Sequence, residues 1–481
     1  MTRNSKILII GAGAAGIAAA ARLLENGYKN LLILEAKNRI GGRIHTVQFS
    51  ENIIELGAQW CHGEDENIVY NLACPYNLLE SSKHIEDSAK HIFVNSVGEV
   101  LSEQETIEIL RIYYKIINNA HKVVHKPQTS YGDYFKKYFY KEIEKNSLIT
   151  KEKAEQILNW MHNYHNSIEC SDTWFDVSAN RSNDYWICKG DPLINWKMNG
   201  YSKVFDLLTK KFPNNKQQLP VYEKILFNKE ISLIDYNSKD FIKVITSDGS
   251  VFVADSLIFT PSLGVLKENY LKLFNPCLPK SKIQAIKGLS IGVANKVFLE
   301  FSHRWWPLNI GGFCFMWSED QKKHFLEIYG KERYWLCDVF KFFTVDYQPR
   351  VLSGWIVGRN AKYIEKLTDQ KVLNEFYFIL KKFLGHIYDI PKPQAILRSK
   401  WFSDKHFRGS YSFHSINTER LNINSNDLGD PIIGINNKPI ILFAGEATHD
   451  HYFSTVHGAI ETGFREANRL IDYYRYCRSH L

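Results

Sequence analysis

The feature that most constrains this 481-residue chain is a strand, a glycine turn and a helix close to its start. Residues 7–10 (ILII) form a short apolar run of the kind found in buried strands. Gly11, Gly13 and Gly16 follow directly, in the spacing G-x-G-x-x-G. Gly11 permits a tight turn, Gly13 lets the backbone approach a pyrophosphate, and Gly16 lets a helix over residues 14–26 lie close to the sheet. The pattern predicts a Rossmann-like unit whose helix N-terminus faces phosphate groups.

A second strand is predicted over residues 31–34 (LLIL), and it ends at an acid, Glu35. This acid lies about 20 residues after the glycines, where a carboxylate accepts hydrogen bonds from an adenosine ribose. A carboxylate at that point favours a ribose without a phosphate. Glycines, flanking strands and the terminal acid together predict a dinucleotide-binding site.

The residues after this acid distinguish between FAD and NAD as the dinucleotide. Arg39, Gly41, Gly42 and Arg43 form an R-x-G-G-R run, in which two glycines expose backbone N–H groups and a guanidinium can bind a phosphate bidentately. The run resembles the continuation of this motif in flavin-containing amine oxidases. In that family the second arginine reaches the pyrophosphate, so the resemblance implies an FAD cofactor.

Composition limits the classes of partner. The chain carries 60 Lys and Arg against 52 Asp and Glu, with no run of five basic residues, so a nucleic-acid partner is not expected. No window of 18 apolar residues exists, so we expect no membrane span. The eight cysteines form no C-x-x-C pair, which predicts reduced thiols in an intracellular protein and no metal site.

Residues 54–63, IELGAQWCHG, are similar to a segment of spermine and acetylpolyamine oxidases. In those enzymes the segment runs beside the flavin, which implies that Gly57, Ala58, Gln59 and Trp60 contact the cofactor. The family's histidine faces the substrate tunnel, and His62 occupies its place. Gln59 and Cys61 depart from the residues more usual beside the tryptophan.

A lysine opens the apolar run NKVFLEF at residues 295–301. Period two places Lys296, Phe298 and Glu300 on one face of a strand. The run resembles the segment that supplies the catalytic lysine of flavin amine oxidases, which holds a water at flavin N5. A buried amine has a lowered pKa and donates well to a bridging water, so Lys296 is the predicted catalytic amine.

Two further segments resemble substrate-binding parts of the family. Residues 401–413 (WFSDKHFRGSYSF) resemble the aromatic cage, with Tyr411 confining an amine by its π face. Monoamine oxidases tether the flavin through a cysteine beside this tyrosine; Ser410 stands here, so the FAD is expected to be non-covalent. In polyamine oxidases a glutamate corresponds to Glu169, which could bind a substrate ammonium. Its alternative role is that of an ordinary surface acid.

The last predicted pieces complete the cofactor domain. Ile231, in a strand over residues 228–236, matches the family's adenine-contacting backbone position, and one continuous strand is predicted over residues 252–259. Residues 440–459 read as strand, Gly445-Glu446, loop and helix start. Glu446 resembles the family's cofactor glutamate. The helix N-terminus, with Thr455 and Val456, would stabilise the negative edge of a reduced flavin. Both chain ends must then meet in one domain.

Together with the glycine motif, the family resemblance implies an α/β, two-domain amine oxidase fold: a Rossmann-like FAD domain (residues 1–86, 220–289 and 430–481) and a mixed-sheet and helix substrate domain (87–219 and 290–429). The expected activity is oxygen-dependent oxidation of polyamines. The predicted cofactor contacts are Gly11, Gly13, Ala14, Ala15, Gly16, Glu35, Ala36, Gly42, Arg43, Gly57, Ala58, Gln59, Trp60, Ile231, Gly445, Glu446, Thr455 and Val456. The predicted catalytic residues are Lys296, His62 and Tyr411, and the substrate contacts are His62, Glu169, Tyr411 and Thr455.

Three alternative functions stay open. A lysine-demethylase-like enzyme would carry an additional module, for which 481 residues leave no room. An amino-acid oxidase would need an arginine for the substrate carboxylate, and Arg408 is a candidate. A flavin-binding protein without catalysis is the third. The final residues, Ser479-His480-Leu481, resemble the S-K-L address with His for Lys, which predicts an import receptor as partner and a peroxisomal rather than cytoplasmic location.

Overall fold

The structure, a computed structural model, describes residues 5–123, 126–238 and 241–479. His480 and Leu481 of the predicted peroxisomal address lie outside these ranges. The strands are β1 (Ile7–Ile10), β2 (Leu31–Leu34), β3 (Thr46–Phe49), β4 (Asn52–Glu55), β5 (Glu80–Ser81), β6 (His91–Asn95), β7 (Ile194–Asn195), β8 (Ile225–Leu226), β9 (Ile231–Asp235), β10 (Ile242–Thr246), β11 (Val251–Ala254), β12 (Ser256–Phe259), β13 (Phe274–Asn275), β14 (Ser290–Ile291), β15 (Ala294–Glu300), β16 (Gly312–Met316), β17 (Lys341–Val345), β18 (Gln348–Val357), β19 (Ala395–Arg398), β20 (Ser412–Phe413), β21 (Ile432–Ile433) and β22 (Pro439–Phe443).

The α-helices are α1 (Ala14–Glu25), α2 (Ile68–Ala73), α3 (Lys83–Glu86), α4 (Glu103–Ile117), α5 (Tyr131–Ile143), α6 (Lys151–Glu169), α7 (Lys203–Leu208), α8 (Leu263–Leu273), α9 (Lys280–Gly288), α10 (Glu319–Tyr329), α11 (Arg359–Ile364), α12 (Asp369–Leu384), α13 (Ile416–Arg420), α14 (Ser425–Gly429) and α15 (Val456–Ser479). Within the described ranges, none of these helices has the length and apolar character needed to cross a membrane.

The first sheet has the strand order β21-β22-β12-β1-β2-β8 and is parallel apart from its edge strand β21. Strand β1 is central, with Ile7 opposite Leu31 on one side and Ser256 on the other. Short apolar strands of this kind are buried on both faces. Helices α1, α7 and α15 pack on one face, and the small sheet β11-β10-β9-β13 covers the other with α8 and α9.

Both ends of the chain meet in this unit, as predicted. Strand β12 pairs with β1 on one side and with β22 on the other, and helix α15 packs along α1. Their approach depends on Gly463, because a Cβ there would fall on the carbonyl oxygen of Ala15. The N-terminal and C-terminal motifs therefore lie in one half of the molecule.

The second sheet, with the order β19-β15-β18-β17-β16-β6, is antiparallel except for the parallel pair β16 and β6. Helices α4, α5 and α6 contribute to the core on one side of it. Helix α12, with residues of α10 and α11, packs on the other side. A Rossmann-like sheet and a separate mixed sheet with helices confirm the predicted fold class.

The expected strand over residues 252–259 is wrong as a single element. The chain forms β11 in the small sheet, turns at Asp255 and continues as β12 in the large parallel sheet. Asp255 holds the turn, because its carboxylate accepts from the backbone N–H of Lys6 (2.7 Å) and its own N–H donates to the Lys6 carbonyl (2.8 Å). The apolar sequence pattern is continuous over residues 252–259, but its first part pairs in the small sheet and its second part pairs in the large sheet.

The predicted domain boundaries stay predictions, but packing is informative for the boundary predicted between residues 219 and 220. Residues from Ile194 to Leu208 pack in the same core as α1 and β1, although the predicted boundary places them in the substrate domain. Leu428 likewise packs with the covering sheet of the first unit. We therefore propose that the return to the cofactor domain begins near residue 194 rather than at residue 220.

The predicted reduced state of the cysteines stays a prediction, and their positions in the structure are as follows. None of the eight forms a disulfide; five are buried, Cys477 is half-buried, and Cys74 and Cys277 are exposed.

Replacing Gly16 with alanine should destabilise the apoprotein by about 1–3 kcal/mol, because overpacking against fixed backbone costs that much. The added Cβ would overlap the carbonyl oxygen of Gly11 and approach Ile9. Gly13→Ala is the matched control: its Cβ would meet only the Cα of Gly42, at 3.9 Å. Thermal unfolding of both apoproteins checks this, and equal melting temperatures would contradict it.

Candidate active site

A cavity of about 1510 Å³ lies at the junction of the two sheets. It exceeds the roughly 300–1,000 Å³ of an ordinary small-molecule site, so it can hold a dinucleotide and a second ligand together. Every predicted site residue lines this cavity except Gly16. Gly16 instead permits the contact between α1 and the glycine turn.

The glycine turn forms one end of the cavity. Gly11 has φ +99°, a conformation that favours glycine, and a Cβ there would lie 2.6 Å from Thr260 Oγ1. Helix α1 begins after Gly13 with no side-chain cap, so the N–H groups of its first turn are left for a ligand. Ala14 and Ala15 line the cavity at this helix end. This geometry suits a pyrophosphate.

Glu35 directly follows β2 and lines the cavity, where its predicted partner is a ribose. Its carboxylate accepts from the backbone N–H groups of Ala12 (2.7 Å) and Lys37 (2.9 Å), which fixes its orientation. A carboxylate can accept about four hydrogen bonds, so two positions stay available for ribose hydroxyls. Ala36 and Ile231 line the same part of the cavity.

Arg43 and Glu446 join the two chain ends through an ion pair. A guanidinium N–H of Arg43 donates to Glu446 Oε1 (2.8 Å) and also to the carbonyl oxygen of Ser410 (2.9 Å). Glu446 Oε2 accepts from the hydroxyl of Ser412 (2.6 Å) and the N–H of Ser454 (2.8 Å). The N-terminal arginine is therefore held by the C-terminal strand and loop.

The N-terminus of α15 reaches the middle of the cavity, where Thr455 and Val456 line it. The Thr455 hydroxyl accepts from the N–H of Gly458 (3.0 Å) and donates to the carbonyl oxygen of Tyr452 (2.7 Å), which caps the helix. The positive end of the helix dipole therefore points at this part of the cavity and stabilises negative charge there.

Lys296 stands on β15 with its amine in the cavity, and its side chain is only 6% exposed. Its Nζ donates to the carbonyl oxygen of Gly57 (2.8 Å) and to Gln59 Oε1 (2.8 Å). The ring centroids of Trp355 and Trp60 lie 5.1 and 5.7 Å away. Burial lowers the pKa of Lys296 to about 7, so its amine can both hold and release a proton near neutral pH.

His62 faces the same cavity, and its Nδ1 lies 2.8 Å from the carbonyl oxygen of Pro192. Burial, and then the nearby charge of Lys296, lower the pKa of His62 below its usual value. The imidazole is therefore neutral near pH 7 and can accept a hydrogen bond from a cation. Ala58 and Trp60 complete the lining contributed by this segment.

Tyr411 and Glu169 meet at the substrate end. The Tyr411 hydroxyl donates to the carbonyl oxygen of Ser167 (2.5 Å), which fixes its ring at the cavity wall. Glu169 is the last residue of α6. Burial raises the pKa of Glu169 to about 7. A carboxylate in this position favours a cationic ligand, which agrees with a substrate ammonium rather than a surface role.

The residues present fit an FAD. A glycine cradle, uncapped helix N–H groups, an oriented ribose acid and a second helix N-terminus follow one another along the cavity. All eight cysteines lie in the described ranges, and none lines the cavity. Ser410, at the tethering position, exchanges hydrogen bonds with the backbone of Ala294. These findings agree with a non-covalent flavin.

Arg408 lies outside the cavity and pairs with Glu268 (2.5 Å). Arg43 is the arginine that lines the cavity over residues 5–123, 126–238 and 241–479, and its carboxylate partner is Glu446. An amino-acid oxidase site built on Arg408 is therefore wrong for this chain.

Among the cavity-lining residues that the sequence did not predict are Phe343, Tyr164 and Lys341. The first two are ordinary apolar-pattern residues and carry no signal of their own. Lys341 has one, since it opens the apolar strand KFFTV much as Lys296 opens its own.

Comparison with known proteins agrees with the interpretation of this cavity as a flavin site. The sequence profile of the family described as "Flavin containing amine oxidoreductase" matches residues 14–471. The chain is 28% identical over 498 residues to the "Peroxisomal N(1)-acetyl-spermine/spermidine oxidase" of Homo sapiens, covering 97% of this chain and 94% of that protein. It is 29% identical over 551 residues to "Probable polyamine oxidase 5" of Arabidopsis thaliana, covering 99% of each. A solved double mutant of putrescine oxidase, redesigned in cofactor binding, has the same fold (TM-score 0.64, 16% identity, 97% and 99% coverage).

Proposed function

The chain belongs to the flavin-containing amine oxidoreductase family, and we propose that it is an FAD-dependent polyamine oxidase. The substrate is a polyamine such as spermine, or an acetylated spermine or spermidine, attacked at a carbon beside a secondary amine. The names of the relatives support this substrate class. One amine, one dioxygen and one water give a shorter amine, an aminoaldehyde and hydrogen peroxide.

One observation carries the proposal: a single cavity joins the glycine cradle to the buried amine of Lys296 and the carboxylate of Glu169. A dinucleotide at one end and a cation at the other would then meet beside Lys296. Holoenzyme incubated with spermine in air should release aldehyde and hydrogen peroxide in equal amounts. Absence of both products with every polyamine offered would contradict the proposal.

The glycine cradle, Glu35 and Arg43 would hold an FAD, which when bound would supply a two-electron acceptor for the hydride equivalent from the carbon beside the amine, with dioxygen as the final acceptor. Lys296 presents its Nζ to the cavity and, with a pKa of about 7, holds or releases a proton there. Trp60 and Trp355 flank that amine and exclude bulk water from it. The acceptors Gly57 and Gln59 fix its direction.

Glu169, Tyr411 and His62 position the substrate. Glu169 binds a distal ammonium of the polyamine, because its carboxyl group lines the cavity together with Tyr411 and Lys296. The Tyr411 ring confines the chain by its π face. Neutral His62 accepts a hydrogen bond from the amine without adding charge. The reacting nitrogen must itself be neutral, since hydride loss from an ammonium is unfavourable.

Substrate affinity should rise with pH through about 7, because burial places the pKa of Glu169 there and only the ionised form attracts an ammonium. Glu169→Gln should weaken spermine binding by roughly 10- to 100-fold above pH 7, the value of a charge-assisted hydrogen bond, and should remove this pH dependence. Glu152→Gln, at the exposed start of the same helix, is the control. Anaerobic stopped-flow experiments at several pH values give the apparent Kd.

The limiting rate of flavin reduction in the same experiment should rise with pH in wild type and in both variants, because deprotonation of the reacting nitrogen precedes hydride loss. A limiting rate that is flat with pH would refute the need for a neutral amine. Equal affinity of wild type and Glu169→Gln would refute the role of Glu169.

We also propose a peroxisomal location, supported by the names of two relatives from human and cattle and by the tripeptide Ser479-His480-Leu481. A fluorescent protein fused in front of the chain should then co-localise with a peroxisomal marker. Diffuse fluorescence, unchanged when the tripeptide is removed, would refute the proposed address.

A further inference from the structure

A second lysine occupies the substrate end of the cavity. Lys341 opens β17 and is only 2% exposed, yet it lines the cavity. In the mixed sheet it stands opposite Trp355, and Trp355 stands opposite Lys296 on its other side. The three side chains form one row across β15, β18 and β17. Since neighbouring strands are about 4.8 Å apart, the two lysine backbones are separated by roughly 10 Å.

The amine of Lys341 has aromatic neighbours and no oxygen partner. Its Nζ lies 4.3 Å from the ring centroid of Phe343 and 5.2 Å from that of Tyr164. Among the residues whose burial the structure describes, two other lysines are buried, and they differ: Lys282 donates to three carbonyl oxygens, and Lys296 donates to Gly57 and Gln59. In the part of the chain that the structure describes, no hydrogen-bond acceptor or carboxylate pairs with Lys341.

The titratable groups close to Lys341 do not supply the missing anion. Burial raises the pKa of the Cys314 thiol to about 12, so this group is uncharged. Burial, followed by the charge of Lys341, lowers the pKa of His91 well below its usual value, so its ring is neutral. Burial lowers the pKa of Lys341 from its usual value, and the two ring faces act against this by favouring the cationic form of the amine. A buried ammonium without an acceptor is costly, and a ligand oxygen would satisfy it.

We propose that Lys341 is a specificity-determining residue that donates a hydrogen bond to an uncharged carbonyl oxygen of the substrate and disfavours a free ammonium at that point. This inference rests on the proposed function and names its substrate class: polyamines acylated at one end. In such molecules the carbonyl lies only a propylene spacer from the next secondary amine. That separation is of the same order as the distance across the row from Lys341 to Lys296.

Electrostatics and hydrogen bonding act in the same direction here. A free ammonium beside Lys341 would find a second hydrogen-bond donor there and no carboxylate paired with it among the described residues. Whenever Lys341 is protonated it would also meet a like charge, which the aromatic walls leave poorly screened. An amide carbonyl has no charge, and its oxygen can accept a hydrogen bond from the Lys341 amine, which has no acceptor among the described residues. Glu169 then binds the cationic part of the same molecule, so one substrate carries one neutral and one charged end.

The test measures anaerobic flavin reduction of the holoenzyme by spermine and by N1-acetylspermine, which gives an apparent Kd and a limiting rate for each. Wild type should bind acetylspermine more tightly by about tenfold or more. Lys341→Met should reduce this preference to within about threefold, with the limiting rate for acetylspermine little changed. Lys341→Gln keeps an N–H donor without charge, so it should retain most of the affinity for acetylspermine and gain affinity for spermine.

Lys267→Met is the matched control, because Lys267 also donates from a partly buried site, to the carbonyl oxygen of Ile286, but does not line the cavity. It should keep the wild-type ratio. Lys341→Met should unfold at a temperature no lower than wild type, since methionine removes an unpaired buried amine at similar volume. The proposal would be overturned if Lys341→Met kept the wild-type ratio of the Kd for spermine to the Kd for acetylspermine. It would also be overturned if wild type preferred spermine and this variant abolished that preference.

Failure of the proposed function can be told apart from failure of this inference. If no amine reduces the flavin of wild type, the polyamine oxidase assignment fails. Isothermal titration calorimetry of the same holoenzymes with spermine and acetylspermine then still gives the ratio of dissociation constants. A ratio that collapses in Lys341→Met supports the role of Lys341, and an unchanged ratio refutes it.

Discussion

Glu446→Leu is expected to yield a protein that is purified without flavin. The variant removes the carboxylate that holds Arg43 (2.8 Å) and the backbone of Ser454 (2.8 Å), so the arginine of one chain end and the loop that leads into α15 lose their common anchor. Removing one partner of a buried ion pair costs about 3–5 kcal/mol. We expect this loss of free energy to weaken FAD binding, so that the affinity for FAD drops on the order of 100-fold or more.

The measurement is the ratio of flavin to protein absorbance after purification. Glu268→Leu is the control, because it breaks another glutamate–arginine pair, with Arg408, outside the cavity. It should retain the flavin. Glu446→Leu protein that is as yellow as wild type would count against the assigned role of Glu446.

Lys296→Met is expected to keep bound FAD and to slow flavin reduction or reoxidation by about 10²- to 10⁴-fold, the usual contribution of a positioned acid or base. Methionine keeps the approximate shape of the side chain between Trp60 and Trp355. It lacks the amine, which is the group that can hold or release a proton near neutral pH. The ion pair of Arg43 with Glu446 is not altered, so the cofactor stays bound.

Two half-reactions are measured separately: reduction by anaerobic mixing with spermine, and reoxidation by mixing the reduced enzyme with oxygen. Lys267→Met removes a lysine outside the cavity and should leave both rates as in wild type. Wild-type rates in both half-reactions of Lys296→Met would refute a catalytic role for Lys296.

Local rules were sufficient for the cofactor end of the molecule. Strands β1 and β2 have the predicted bounds, and α1 ends one residue earlier than predicted. The reason is that turn geometry, strand burial and the ribose acid all depend on neighbouring residues within one short stretch. Glu35 and the glycines therefore lie where their spacing indicated.

Predictions that depend on which sheet receives a strand were less secure. The apolar run at residues 252–259 has no local sign of division, and only tertiary pairing sends β11 and β12 to different sheets. The row formed by Lys296, Trp355 and Lys341 could not be predicted either. Lys296 is distant from the other two in sequence, and a register shift between Thr344 and Val345 sets the pairing of Lys341 with Trp355 on the neighbouring strand.

The most direct test of the central claim is an anaerobic titration of the purified holoenzyme with spermine, acetylspermine and spermidine, followed by the flavin spectrum. The account predicts that at least one of these polyamines bleaches the oxidised flavin completely and that admitted oxygen restores its colour. A flavin spectrum unchanged by all three would contradict it.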